Sequence, residues 1–165
     1  MPLRNPSELA GDLQPGQRLL GLDVGSKTIG LALSDVSRVI ATPMETLKRG
    51  KFADDARWLW AIMKEHEVAA LVVGLPMNMD GSEGPRCQSV RQFVKNLLAM
   101  ADIGIVLWDE RLSTVAAQRA MLEADMSRKK RGENVDKVAA AFILQGLLDH
   151  LASLARASQR SGPVA

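Results

Sequence analysis

Arg18-Leu-Leu-Gly-Leu-Asp-Val-Gly-Ser-Lys-Thr-Ile-Gly-Leu-Ala-Leu-Ser-Asp35 reads as a buried β-hairpin interrupted by one carboxylate. Leu20, Leu22 and Val24 alternate onto one face of its first strand, and Leu19, Gly21, Asp23 and Gly25 onto the other. An ionised Asp23 inside a core strand is costly unless a cation or several donors meet it. The flanking glycines remove side-chain bulk and let another group approach the backbone. A metal ion or a phosphate is the expected ligand. The competing reading makes Asp23 a turn residue beside Gly25-Ser26-Lys27.

Outward from the hairpin, residues 39–47 continue the alternation into a third strand, where Pro43 predicts a bulge or an edge position. Residues 52–67 switch to helical spacing, with Phe52, Ala56, Leu59, Trp60 and Met63 on one face. Residues 69–75 form a Val/Leu-rich run suited to a parallel strand covered on both sides. A Gly/Pro/Asn/Asp loop follows at 76–85, then a helix marked by Val90, Phe93, Val94, Leu97 and Leu98, and a strand at 103–108. Ser113 or Thr114 is expected to cap a helix running to about Asp125, with a polar basic loop at 126–133 and a last helix at 134–154.

This order predicts an α/β fold: a mixed five-stranded sheet, an antiparallel three-strand meander continued by parallel strands, with helices on both faces. Residues 17–154 are expected as a single domain. Residues 1–16, rich in Pro and Gly, read as a flexible N-terminal arm, and 155–165 as a frayed tail. Trp58, Trp60 and Trp108 are expected in packing roles.

Composition narrows the class. The 165 residues are 47% apolar and 24% charged, as in a globular domain able to bury a real core. A net charge of +2 argues nothing about nucleic acid until the charges are located. The single cysteine, Cys87, excludes an internal disulfide and reads as a bystander. No run of about 18 consecutive apolar residues suggests a membrane helix, and the first residues lack a signal-peptide core. A cytoplasmic protein with no membrane partner is expected.

Two further carboxylates change the reading of Asp23. Glu110 follows the fifth strand, where open α/β sheets collect ligands; its neighbour Asp109 is assigned the lesser role. Asp136 opens the last helix, whose Ala139, Ala140 and Ile143 suit close packing on a sheet. With His66 and His150 isolated, the oxygen donors Asp23, Glu110 and Asp136 suit Mg²⁺ or Mn²⁺. A pair of such ions is the apparatus of phosphodiester hydrolysis. Singly, Asp109 and Asp136 would equally serve helix N-termini.

The cations suggest the substrate. Arg128, Lys129, Lys130 and Arg131 precede Asp136 as a run that would track a phosphate backbone or lie as a solvated face. The loop at 76–86, with Asn78, runs from a parallel strand into a helix N-terminus and suits phosphate. Lys27 and Arg111 are further phosphate-contact candidates.

Four segments resemble the YqgF (RuvX) family of RNase H-like proteins: Gly21-Leu-Asp-Val-Gly-Ser-Lys-Thr-Ile-Gly-Leu-Ala-Leu-Ser-Asp35, Val73-Gly-Leu-Pro-Met-Asn-Met-Asp-Gly-Ser-Glu-Gly-Pro85, Trp108-Asp-Glu-Arg-Leu-Ser-Thr114 and Val135-Asp-Lys-Val-Ala-Ala-Ala-Phe-Ile-Leu-Gln145. They occur in family order. The resemblance implies an RNase H-like fold and a catalytic triad of Asp23, Glu110 and Asp136 with divalent metal. Such proteins are described both as Holliday junction resolvases and as nucleases trimming the 5′ end of pre-16S ribosomal RNA, so ribosomal precursor particles are an implied partner.

Two other readings stand beside this one. Asp-x-Gly after a hairpin also resembles the phosphate motif of actin-like kinases, which close two such domains around a nucleotide where this chain has length for one. A nucleic-acid-binding module without cleavage is the other. RNA against DNA, and monomer against homodimer, are left open by the sequence.

Overall fold

The computed structural model describes residues 3–112 and 128–160, with 128–134 described by their backbone alone. The helix expected from Ser113 or Thr114 to about Asp125 lies outside the described residues. Strands β1 (Arg18–Val24), β2 (Thr28–Ser34), β3 (Ala41–Lys48), β4 (Val68–Leu75) and β5 (Gly104–Asp109) form one sheet in the order β3-β2-β1-β4-β5. β1 pairs antiparallel with β2 and parallel with β4, β2 antiparallel with β3, and β4 parallel with β5. The expected mixed sheet is present, with the Asp23 strand at its centre.

Alternation along β1 divides the core. Leu20, Leu22 and Val24 join Ile29, Leu31, Leu71 and Val73 beneath two helices, α2 (Phe52–Glu65) and α3 (Pro85–Met100). Leu19 faces the other way with Ala32, Val72 and Val106, beneath the long helix α4 (Arg128–Arg160). Trp58 and Trp60 pack against the first layer, and Trp108 lies buried in the second, as the packing reading expects. Pro43 occupies edge strand β3 at a register shift, with Leu31 opposite Glu45 and Ala32 opposite Pro43. Both expectations for this proline hold.

The N-terminal segment, expected as a loose arm, carries structure. Asn5 and Glu8 form a reciprocal capping box, with the Glu8 amide 2.9 Å from Asn5 Oδ1, at the start of helix α1 (Pro6–Asp12). Leu9 of α1 is 2% exposed within the α4 layer. Leu3 bridges Ile105 in parallel, and the Arg4 amide donates to the Ile105 carbonyl at 2.9 Å, covering part of edge strand β5.

α4 also departs from expectation. Residues 128–133, read as a basic loop, are its first turns, because Arg and Lys are good helix formers and one Gly costs only about 1 kcal/mol in a long helix. The helix continues to Arg160, with residues 155–160 exposed. Within Val135–Arg160 one stretch of 18 residues has the length and hydropathy of a membrane span (mean hydropathy 1.6). Its Ala139, Ala140, Ile143, Leu144 and Leu147 nevertheless lie buried on the sheet, as in a core helix.

Candidate active site

Three strand glycines determine how α4 meets the sheet. A Cβ on Gly21 would stand 2.8 Å from Leu144 Cβ and 2.9 Å from the Ala140 carbonyl. A Cβ on Gly30 would overlap the backbone carbonyl of Asp136. A Cβ on Gly74 would collide with Ile143 and lie 3.4 Å from the Glu110 carboxyl carbon. At Gly21 and Gly30 the helix therefore rests on bare strand backbone, closer than a side chain would permit, and at Gly74 the Ile143 side chain fills the space.

Asp23 lies at the centre of this arrangement. It pairs with Gly30 of β2. One residue beyond the Leu22–Val73 pair, the parallel register sets it beside Gly74 of β4. The neighbour on one side thus makes room for Asp136 and the neighbour on the other for Glu110. Asp23 is 4% exposed and Glu110 8% exposed, while Asp136 is half-buried. Glu110 opens a 3₁₀ turn (Glu110–Leu112) directly after β5. The Thr28 hydroxyl donates to Asp136 Oδ2, joining the hairpin turn to the helix.

Asp109 has a different task. It accepts from the Arg111 amide at 2.9 Å and from the guanidinium at 2.7 Å, and this hydrogen bonding holds its carboxyl below the usual range. Arg111 in turn donates to the Met79 carbonyl at 3.4 Å and lies 3.4 Å from where a Cβ on Gly81 would stand. It therefore braces the 76–84 loop rather than standing clear of other groups. Asn78 is exposed, with its amide donating to Ser82 Oγ at 3.0 Å and its backbone closing a turn with Gly81 and Ser82.

Lys27 is exposed on the β1–β2 turn, at the rim of a cleft of about 350 Å³ that also takes in Ser26, Thr28, Arg86, Ser89 and Asp136. Thr28, Arg86 and Ser89 were not singled out from the sequence. Thr28 directly follows Lys27, and Arg86 closes the 76–86 loop, so proximity in sequence was the available signal. The backbones of Arg128, Lys129, Lys130 and Arg131 occupy the first turn of α4, some two turns before Asp136. Cys87 is fully buried, and burial raises its thiol pKa, consistent with a bystander.

The donor chemistry of Asp23, Glu110 and Asp136 fits a hard divalent cation. They approach from one face of the sheet at one end of the parallel strands. Among the described residues, however, no three acidic, His or Cys groups are drawn together as one ligand set. The Asp136 carboxylate is instead engaged by Thr28.

With this geometry established, comparison places the chain among known proteins. The RuvX family model, described as Holliday junction resolvase, matches residues 17–150. A relative in Paramagnetospirillum magneticum, named "Putative pre-16S rRNA nuclease", is 61% identical over 94% of this chain and 100% of its own length. A Rhizobium meliloti relative of the same name is 56% identical over 94% of each chain. Among solved structures, T. thermophilus RuvC in complex with Holliday junction substrate aligns with a TM-score of 0.53. At 10% identity over 84% of this chain and 96% of that one, this likeness concerns the fold.

Proposed function

This chain belongs to the RuvX family, and we propose on that footing that it is a metal-dependent nuclease cleaving phosphodiester bonds in structured nucleic acid, with the 5′ end of pre-16S ribosomal RNA as its substrate. The observation that carries this reading is the approach of Asp23, Glu110 and Asp136 to one sheet face, each admitted by a strand glycine or presented at a strand end. Residues 17–154 form the nuclease domain, working in the cytoplasm on ribosomal precursor particles.

Asp23, Glu110 and Asp136 would hold Mg²⁺ or Mn²⁺, which when bound neutralises phosphate charge and lowers the pKa of the attacking water. The protein's own contribution is placement. Asp23 sits mid-sheet with both flanking strands fixed, so its carboxylate needs little reorganisation. Burial of Asp23 and Glu110 keeps bulk water from competing at their oxygens. Thr28 holds Asp136 oriented, and Arg111 keeps the 76–84 loop beside the carboxyl ends of the parallel strands. Lys27 and the cations at 128–131 supply phosphate attraction independent of base sequence.

The family description favours a second reading, resolution of four-way DNA junctions. Cleavage of a precursor 16S 5′-end RNA and of a four-way DNA junction, assayed side by side with Mg²⁺ and with Mn²⁺, separates the two. The ribosomal reading requires faster cleavage of the RNA at the mature 5′ end. Faster symmetrical nicking of the junction would replace it with the second.

A further inference from the structure

The cleft beside Asp136 has more charge than the carboxylate site explains. Lys27 approaches it from the β1–β2 turn and Arg86 from the first turn of α3, with Ser26, Thr28 and Ser89 between them. Among the described residues neither cation has an ion-pair partner, whereas Arg4, Arg57, Arg91 and Arg111 each have one. The acid lining the cleft, Asp136, receives the Thr28 hydroxyl. Two cations and the Ser26 and Ser89 hydroxyls around about 350 Å³ make a site for an anion with hydrogen-bonding oxygens.

The turn carrying Lys27 is fixed in place. The Gly25 amide donates to the Thr28 carbonyl at 2.8 Å, and the Arg49 amide to the Lys27 carbonyl at 2.8 Å. The Arg49 guanidinium donates to the Gly25 carbonyl at 2.7 Å and lies 5.2 Å from the centre of the Phe93 ring, on α3. Turn and helix are thereby tied together, so the two cations face each other across a preformed gap.

We propose that this cleft is a subsite for a phosphate next to the scissile one. Asp136 belongs both to the cleft wall and to the carboxylate group, so a strand cleaved at the carboxylates passes a neighbouring phosphate between Lys27 and Arg86. The subsite rests on the nuclease reading. It adds that the strand is positioned by a backbone anion on the hairpin side of the site, without reading bases.

Single methylphosphonate replacement tests it. A series of precursor 16S 5′-end RNAs, each with one phosphate near the cleavage site made neutral, is titrated with the full chain. In the wild type one position beside the scissile bond should weaken binding roughly tenfold. Lys27→Ala/Arg86→Ala should bind the unmodified RNA more weakly by a similar factor and lose sensitivity at that position alone. Lys27→Arg/Arg86→Lys should keep it. Both residues are exposed, and a thermal melt checks that the double variant is folded. Undiminished sensitivity at every position in the folded double variant overturns the subsite and leaves the nuclease reading standing. A wild type that neither binds nor cleaves these RNAs or a four-way junction overturns both.

Discussion

The backbone carbonyl of Asp136 stands where a side chain on Gly30 would begin. Gly30 is the β2 partner of Asp23, so the contact that seats α4 also sets two of the three proposed catalytic carboxylates on adjoining elements. A methyl group at position 30 meets main chain, which cannot rotate away.

Gly30→Ala should therefore destabilise the fold by about 2 kcal/mol or more. Gly11→Ala, in α1 with open space around it, should be neutral or slightly stabilising. Urea unfolding of the two variants beside the wild type checks this. Equal midpoints would mean that α4 does not rest on the β2 backbone.

Gly74→Ala is expected to behave differently. Its Cβ would meet the end of the Ile143 side chain, which can adjust, and would press on the Glu110 carboxyl carbon from 3.4 Å. Stability should fall by only about 1 kcal/mol. Cleavage should fall by a larger factor than that loss explains. Melting curves and single-turnover rates on the same preparations compare the two effects.

Thr28→Val removes the hydroxyl that holds Asp136 while keeping the side-chain shape. The Mg²⁺ concentration for half-maximal cleavage should rise roughly tenfold, as for other groups that orient a metal ligand, and Thr28→Ser should restore it. A metal dependence unchanged in Thr28→Val would assign the hydroxyl to the turn alone.

The Asp109–Arg111 pair yields a pH signature. Arg111 lowers the Asp109 pKa in the folded state, so the pair stabilises the fold above the ordinary carboxylate pKa of about 4. That contribution is lost as pH falls through the lowered folded value. Arg111→Ala should lower stability modestly near neutral pH, with the difference from wild type vanishing in acid. Carbon-detected NMR titration of Asp109 should show its pKa moving up in the variant. An unmoved pKa would contradict the Asp109–Arg111 pairing.

The sheet was legible because its signals are local. Alternation in 19–35, the Pro43 interruption and the apolar run at 69–75 each depend on neighbours a few residues away. Asp23 was conspicuous because a charge in an apolar strand has few structural uses. Gly21 was legible as a point of close approach, but its partner on α4 was not, and Gly30 carried no such signal. Nothing local pairs Gly30 with Asp136, more than a hundred residues on.

Other features were missed for physical reasons. The capping box at Asn5 and Glu8 lay within a Pro/Gly-rich stretch, and composition outweighed a four-residue signal that only Leu9 packing makes worthwhile. The basic run at 128–131 reads as a loop because charge and Gly132 suggest solvent, while its residues favour helix once α4 is nucleated on the sheet. The Lys27–Arg86 cleft forms between elements about sixty residues apart, which no motif records.

Single-turnover cleavage of precursor 16S 5′-end RNA by Asp23→Asn, with binding measured in parallel, bears most directly on the proposed chemistry. The exchange keeps shape and removes charge at the centre of the carboxylate group. The expected result is a loss of Mg²⁺-dependent cleavage of at least about a thousandfold with RNA affinity largely retained. Cleavage by pure Asp23→Asn at the wild-type rate would contradict it.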